Sequence, residues 1–361
     1  MSVVILFLHH TNTTMRKIIF ATIFAATCSV TIAQSGSSKD PYLTKSFKDV
    51  SFKKINAETS HGNITVSIVP ASDAKVEVYV NPTNDNDRLT KEEIQKKLDE
   101  YYSIDISVSG DLLSAIVHKK KEILYGQNAL NISFKIYAAK NTDTHLRTSH
   151  GNVDVSGLEG REDMATSHGN IALEKITGKL TAQTSHGNIS ITGSKDDIDV
   201  RTSHGNIEAK NCEGIVTLIT SSGNVQFEQQ KGKIKASTDH GNVAGVDIAG
   251  ELSAYTSHGD VELKNLSCSV ETSTSHGNIA VSVNNITGDI IINNSSGNIS
   301  LTLPKGKGID VDLSGKPVTL DATENFSGSK EKNSMKGTLN GGGTKVKAKT
   351  NHGTVDLRFR S

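Results

Sequence analysis

Histidine is the residue in this sequence whose type and spacing could do chemistry. His150, His168, His186, His204, His240, His258 and His276 occupy one place in a recurring Ser-His-Gly-Asn tetrapeptide or a close variant of it. Ser222 fills the slot once, and every step along the series is 18 residues. A period held without drift marks stacked coils, because each unit can bury its apolar face only against its neighbours. Stacking at strand spacing would bring successive imidazoles to about 5 Å, within reach of a shared zinc, copper or nickel ion. Against this, ligands in a line do not surround a tetrahedral ion, few carboxylates stand nearby to orient the rings, and Ser222 interrupts the row. A turn-residue ladder copied by duplication is the favoured reading, with no metal and no cofactor assigned. The direction of the side chains is open from sequence alone. An outward column would be a candidate surface stripe that charges below about pH 6.

The adjacent columns carry structure. Gly151 and Asn152, Gly169 and Asn170, Gly187 and Asn188, and Gly205 and Asn206 read as turn-forming pairs, and the Asn file runs on to Asn278 with Asp260 substituting once. A file of threonines from Thr148 through Thr166, Thr184 and Thr202 to Thr274 invites comparison with ice-binding solenoids. An inward or corner ladder sharing hydroxyl hydrogen bonds is the plainer expectation. A calcium-binding β-roll also turns once every 18 residues, but Asp is nearly absent from these turns. Ser-His adjacency recurs in almost every unit, whereas a nucleophile and its base must converge once, in a cleft, beside an orienting acid. No catalytic residue is assigned, and a non-enzymatic chain is expected.

The elements that hold these columns follow from alternation of period two, which means strand. Ile171 and Leu173, Ile189 and Ile191, and Val261 and Leu263 follow the turn by three and five residues. Leu180 and Ala182, Ile198 and Val200, and Leu252 and Ala254 precede it by six and four. Both sets face inward, and Thr184 and Ile189 both point in, so parity breaks inside the turn. The expected fold is all-β: a parallel β-solenoid with 18-residue coils and two short strands per coil. Each coil has one corner at His-Gly-Asn and another near Gly160, Gly178, Gly214, Gly232 and Gly250, where positive φ suits glycine. The regular array would form a rod roughly 35 to 40 Å long. With nine Phe, seven Tyr and no Trp, its core must be aliphatic.

Looser copies at His61, Ser296 and His352 flank the array. Residues 34–46 read as a linker, 47–69 as a first coil, 70–145 as an inserted β-rich cap, 146–303 as regular repeats and 304–361 as degenerate coils. Within the insertion Thr90 and Glu93 form a capping-box pattern ahead of Ile94, Leu98 and Tyr101, giving a short helix over 90–102. Strand-like runs follow at 103–108, 112–118 and 130–138. The Gly/Lys-rich stretch 305–345 is expected to form irregular coils or loops. Cys212 and Cys268 would stand three coils apart, roughly 14 Å, too far for a disulfide.

Arg16-Lys17, the apolar run 18–26 and Thr31-Ile32-Ala33 read as a secretory signal cut after Ala33, with translation starting at Met1 or Met15, and no structure is expected over 1–33. Thirty-nine basic against 39 acidic residues leave no footprint for nucleic acid, and no apolar run after the leader is long enough to span a membrane.

The leader, the Thr-Ser-His-Gly-Asn-Ile units at Thr166, Thr184 and Thr202, the linker Gly178-Lys179-Leu180 and the segment 132–141 resemble the putative-adhesin β-strand-repeat family of bacterial envelope proteins, a domain of unknown function. The resemblance runs from Phe47 to Phe359, implies the solenoid and brings no catalytic residues. Many members carry Ser or another small polar residue where His recurs here, so any histidine function is particular to this chain. The expectation is an exported monomer in the periplasm, on the outer-membrane surface or outside the cell. It would act as an adhesin-like or scaffolding surface for an envelope or extracellular protein or glycan. The alternatives are a metal- or pH-responsive histidine column, or an envelope-stress component that binds a protein through its N-terminal insertion.

Overall fold

The computed structural model describes residues 30–31, 40–48, 50–83, 89–121, 129–321 and 325–360. Apart from 30–31, the expected signal and its cleavage point lie outside them. The chain is a parallel β-solenoid. Ile171–Glu174 pairs in register with Val153–Ser156 on one side and Ile189–Thr192 on the other. Leu180–Thr184 lies between Glu162–Ala165 and Lys195–Thr202. Every partner is offset by one repeat, so like residues stand above like. The inward members of both files, such as Ile171, Leu180, Ala182 and Ile189, are buried while their alternates face solvent. Each enclosed Ile or Leu contributes about 1.5 to 3 kcal/mol by leaving water.

The second corner has its own rule. Lys175, Gly193, Asn211, Gln229, Asp247 and Asn265 all adopt left-handed backbone with φ between 53° and 67°. That bend turns the following residue inward, so Ile176, Ser194, Cys212, Gln230, Ile248 and Leu266 form a third buried file. The alternation rule does not reveal this file, because Ser194, Cys212 and Gln230 break its apolar character. Farther along, Val225–His240, Val243–His258 and Val261–His276 remain paired through the corner. Each is one bent strand of 16 residues rather than two short ones.

Both ends are closed by chain that leaves the stack and returns. The coil formed by Lys54–Glu58 and Ile64–Ile68 is flanked inward by Asp143–Arg147 and Val153–Ser156, and outward by Leu112–Lys119 and Leu130–Ala138. Antiparallel strands Tyr102–Ser109 and Lys75–Pro82 finish this end, and open parallel edges are thereby avoided. The helix Lys91–Tyr101 begins with the expected capping box, Thr90 and Glu93 each accepting the other's backbone N–H. Leu43–Ser46, read from sequence as linker, pairs instead with Lys75–Val78, and Val30–Thr31 pairs with Thr44 and Lys45.

The C-terminal end corrects the expectation of loops over 305–345. Thr344–His352 and Val355–Arg360 stack directly on Ile290–Ser296 and Ile299–Pro304, placing His352 beside Ser296. The intervening chain forms the layer outside them. Ile309–Ser314 runs parallel to Thr344–Lys349, then Ser334–Leu339 and Phe326–Lys330 follow antiparallel. Ile309, Val311, Leu313, Met335 and Leu339 are buried there. Ile309, Val311 and Leu313 keep a clean period of two, whereas Lys336 and Gly337 dilute it between Met335 and Leu339.

Cys212 and Cys268 are free and buried, and burial pushes the Cys268 thiol up to about 12. One charged residue breaks the apolar files. Glu162 is fully buried between Thr144 and Leu180, accepts a hydrogen bond from the Thr144 hydroxyl at Oε2, and leaves Oε1 without a partner. Burial, with a smaller push from Asp143, raises its carboxyl to about 7. A raised acid favours its neutral form in the fold, so its stabilising effect is complete below the ordinary value of 4.5 and is lost as pH climbs to about 7. The loss is on the order of 3 kcal/mol.

Two outcomes follow. Glu162→Leu, which copies Leu180 above it, should stabilise the protein by a few kcal/mol at pH 8 and by much less at pH 4.5 in urea titrations. An equal gain at both pH values would contradict the assignment. Gly187→Ala should cost at least about 3 kcal/mol, since its Cβ would fall 1.8 Å from the Gly169 carbonyl oxygen. Gly110→Ala, with nothing within 4 Å but φ at +61°, should cost only about 1 to 2 kcal/mol.

Candidate functional site

The His-Gly-Asn turn is built from three ladders, and two of them are fully explained by the fold. The buried Thr184 hydroxyl donates to the Gly169 carbonyl of the coil below at 3.0 Å and accepts from the Gly187 N–H at 3.2 Å. The same threonine-to-glycine bond recurs from Thr148 to Thr274 and at Thr350. The threonines thus serve the turn backbone rather than sharing bonds with one another, and they present no outward ice-like face. In the asparagine file each Oδ1 accepts the backbone N–H of its counterpart one coil on, as from Asn188 to Asn170 at 2.8 Å. Only the acceptor is used, which is why Asp260 can stand in the file and receive Asn278 N–H at 2.7 Å.

The histidine file is different. Its backbone bonds do not involve the ring: His186 N–H donates to Ser167 O, and Ser222 N–H makes the same bond to Ser203 O with no imidazole at all. The side chains face solvent. His61, His150, His168, His186 and His204 lie as parallel plates with centroids 4.6 to 4.9 Å apart and planes within 6°. His240, His258 and His276 form a second run at 4.9 and 5.1 Å, beyond the break at Ser222. All seven candidate stripe residues therefore share one exposed face, and His61 joins them across the insertion. His61 carries the same His-Gly-Asn signature in sequence, 89 residues before His150.

Among the described residues, no group of three or more His, Cys, Asp or Glu is placed to hold a metal ion. The row instead offers a line of titratable rings. Burial first, then Lys119 and His150, hold the His61 imidazole below its ordinary value.

A separate polar cluster sits on the cap. Glu77 receives Lys75 at 2.6 Å, the Tyr79 hydroxyl at 3.0 Å and the Tyr137 hydroxyl at 3.3 Å, while the Lys75 ammonium lies 4.7 Å from the Tyr137 ring centre. Burial works to raise the Glu77 carboxyl, but the bonds from Lys75 and Tyr79 outweigh it and hold it low. Burial and the bond to Glu77 push Tyr79 up to about 12. This tie fixes the cap strands to each other, and no signal in the sequence reading had singled it out.

Residues 192–358 match the family model described as Toastrack DUF4097. The chain is similar to a domain family of unknown function, as its repeat units imply. The match takes in the coils of His204 through His352 and stops short of the N-terminal cap. A solved structure described as a putative cell adhesion protein from Clostridium sporogenes aligns with 92% of this chain and 99% of its own, at 10% identity and a TM-score of 0.19. The comparison with curated proteins gives no match. Among the described residues no helix is long and apolar enough to cross a membrane.

Burial, the Lys119 ammonium and the neighbouring His150 ring all disfavour the charged form of His61. The folded protein thus binds the His61 proton less readily than the unfolded chain, and the stability this imidazole contributes is lost as pH drops through the histidine range. Glu162 opposes this, so the Glu162→Leu protein isolates the effect. Its melting temperature should fall from pH 8 to pH 5. Replacing His61 by Ser, the residue found at Ser222, should remove most of that fall. An unchanged slope would show that the His61 environment does not disfavour its charged form.

Proposed function

We propose that this chain is an exported, non-enzymatic β-solenoid of the cell envelope that presents a long rigid surface for adhesion or scaffolding. One observation carries the reading: the imidazole file adds nothing to the backbone ladder, yet it stands in register along an exposed face, interrupted once at Ser222. Residues retained without a folding role are available for a surface role. A rod of stacked coils suits distributed contact with an envelope or extracellular protein or glycan, since equivalent groups recur at each step. The parallel imidazoles also favour a second reading, in which acidification converts this face into a cationic stripe and switches contact on.

Retention of the purified mature chain on intact cells and isolated envelopes of the producing bacterium tests the first reading. Saturable binding at micromolar concentration is expected, and none at any concentration would sink it. The second reading expects retention to rise at least tenfold from pH 8 to pH 5.5 and to lose that dependence when His150, His168, His186 and His204 are all replaced by Ser. Equal retention at both pH values would rule it out.

A further inference from the structure

The left-handed corner lies on the other side of the coil from the histidines, and it changes character in one place. Its outward file reads Gly157, Lys175 and Gly193 in the early coils, then Asn211, Gln229, Asp247 and Asn265 in four consecutive ones. Asn and Asp suit left-handed backbone, so they alone would need no other cause. Gln229 is not explained that way, nor is what lies behind it. Behind two of these outward residues the buried file also departs from Leu and Ile, with Cys212 next to Asn211 and Gln230 next to Gln229, as it does one coil earlier with Ser194 next to Gly193. Gln230 is completely buried. Its Nε2 donates to the Ala209 and Glu228 carbonyls at 3.1 and 2.8 Å, and its Oε1 has no partner. A shallow cavity of about 520 Å³ opens here, lined by Asn211, Cys212, Gln229, Gln230, Asp247 and Asn265 among others.

We infer that this corner is a binding groove for a hydroxyl-rich oligosaccharide, which names a ligand class for the rod and rests on the adhesin-like reading. The backbone excludes an added peptide strand, because the corner N–H and C=O groups are spent between coils. Asn211 N–H donates to Glu228 O, and Lys231 N–H to Cys212 O, each at 3.0 Å. Recognition falls to the Asn211, Gln229 and Asn265 amides, which donate and accept, and the Asp247 carboxylate, which accepts, all spaced one coil apart, with Glu213 and Lys231 also lining the groove. No aromatic ring is among the lining residues, so affinity is modest.

Titration of the mature chain with chitohexaose, cellohexaose and maltohexaose, followed by calorimetry or NMR shifts, tests this. At least one should bind with Kd of about 1 mM or tighter. Asn211→Gly with Asp247→Gly copies Gly193, so it keeps the corner conformation while removing the contacting groups, and it should weaken binding at least tenfold. Gln230→Ile, which copies Ile248, should also weaken it, whereas His168→Ser with His186→Ser should not. No binding at millimolar concentration, or equal binding by the double-glycine protein, overturns the inference. If that protein still adheres to envelopes and no sugar binds, the corner is refuted and the adhesin-like reading stands. If sugar binds at the corner but envelopes are not retained, the groove stands and the adhesin-like reading fails.

Discussion

Direct superposition of one coil on the next governs this molecule. With a fixed 18-residue period, each residue meets its own counterpart above and below at strand spacing, and only side chains that tolerate or help themselves can fill a file. Glycine survives in the turn because the carbonyl of the coil beneath occupies the space a Cβ would need. Asparagine survives because its Oδ1 meets a backbone N–H of the next coil. Threonine survives because its hydroxyl bridges two turns. Histidine is under no such demand, as the unaltered backbone at Ser222 demonstrates.

Self-superposition also makes each exception conspicuous. Glu162 sits where the files are otherwise aliphatic or threonine, at the level where the rod meets its cap, and burial holds its proton into the neutral range. Cys212 and Gln230 interrupt the corner file at the two coils where its exposed neighbours become the Asn211 and Gln229 amides. Duplication copies whole coils, so paired changes inside and outside one corner stand apart from background drift. The two ends solve the opposite problem. A coil with no neighbour exposes an apolar section and parallel edges, and each terminus answers with a looped-out segment that ends in antiparallel strands.

Much of this was legible in the residues. The tetrapeptide period gave the coil, Ile189 and Ile191 with Leu180 and Ala182 gave the inward faces, and Thr90 with Glu93 marked the capping helix. The third inward file escaped, because a left-handed residue shifts the parity of the chain and hides Gln230 behind a polar corner. The C-terminal cap escaped because the clean alternation of Ile309, Val311 and Leu313 spans only six residues, while Lys336 and Gly337 break the pattern of its partner strand between Met335 and Leu339. The matched family resides in the same repeated units, whose turns are the most constrained part of the coil.

The local chemistry of the chain determined, by itself, that it would coil with this period, where each turn would fall and which residues would share a file. These are properties of short segments and of their repetition. Tertiary structure decided that the imidazoles point outward, that Glu162 lacks a second partner, and that the last coil slips beneath the segment preceding it. Those outcomes depend on which neighbour a segment stacks against, and that neighbour is chosen by enclosure of the whole core rather than by order along the chain.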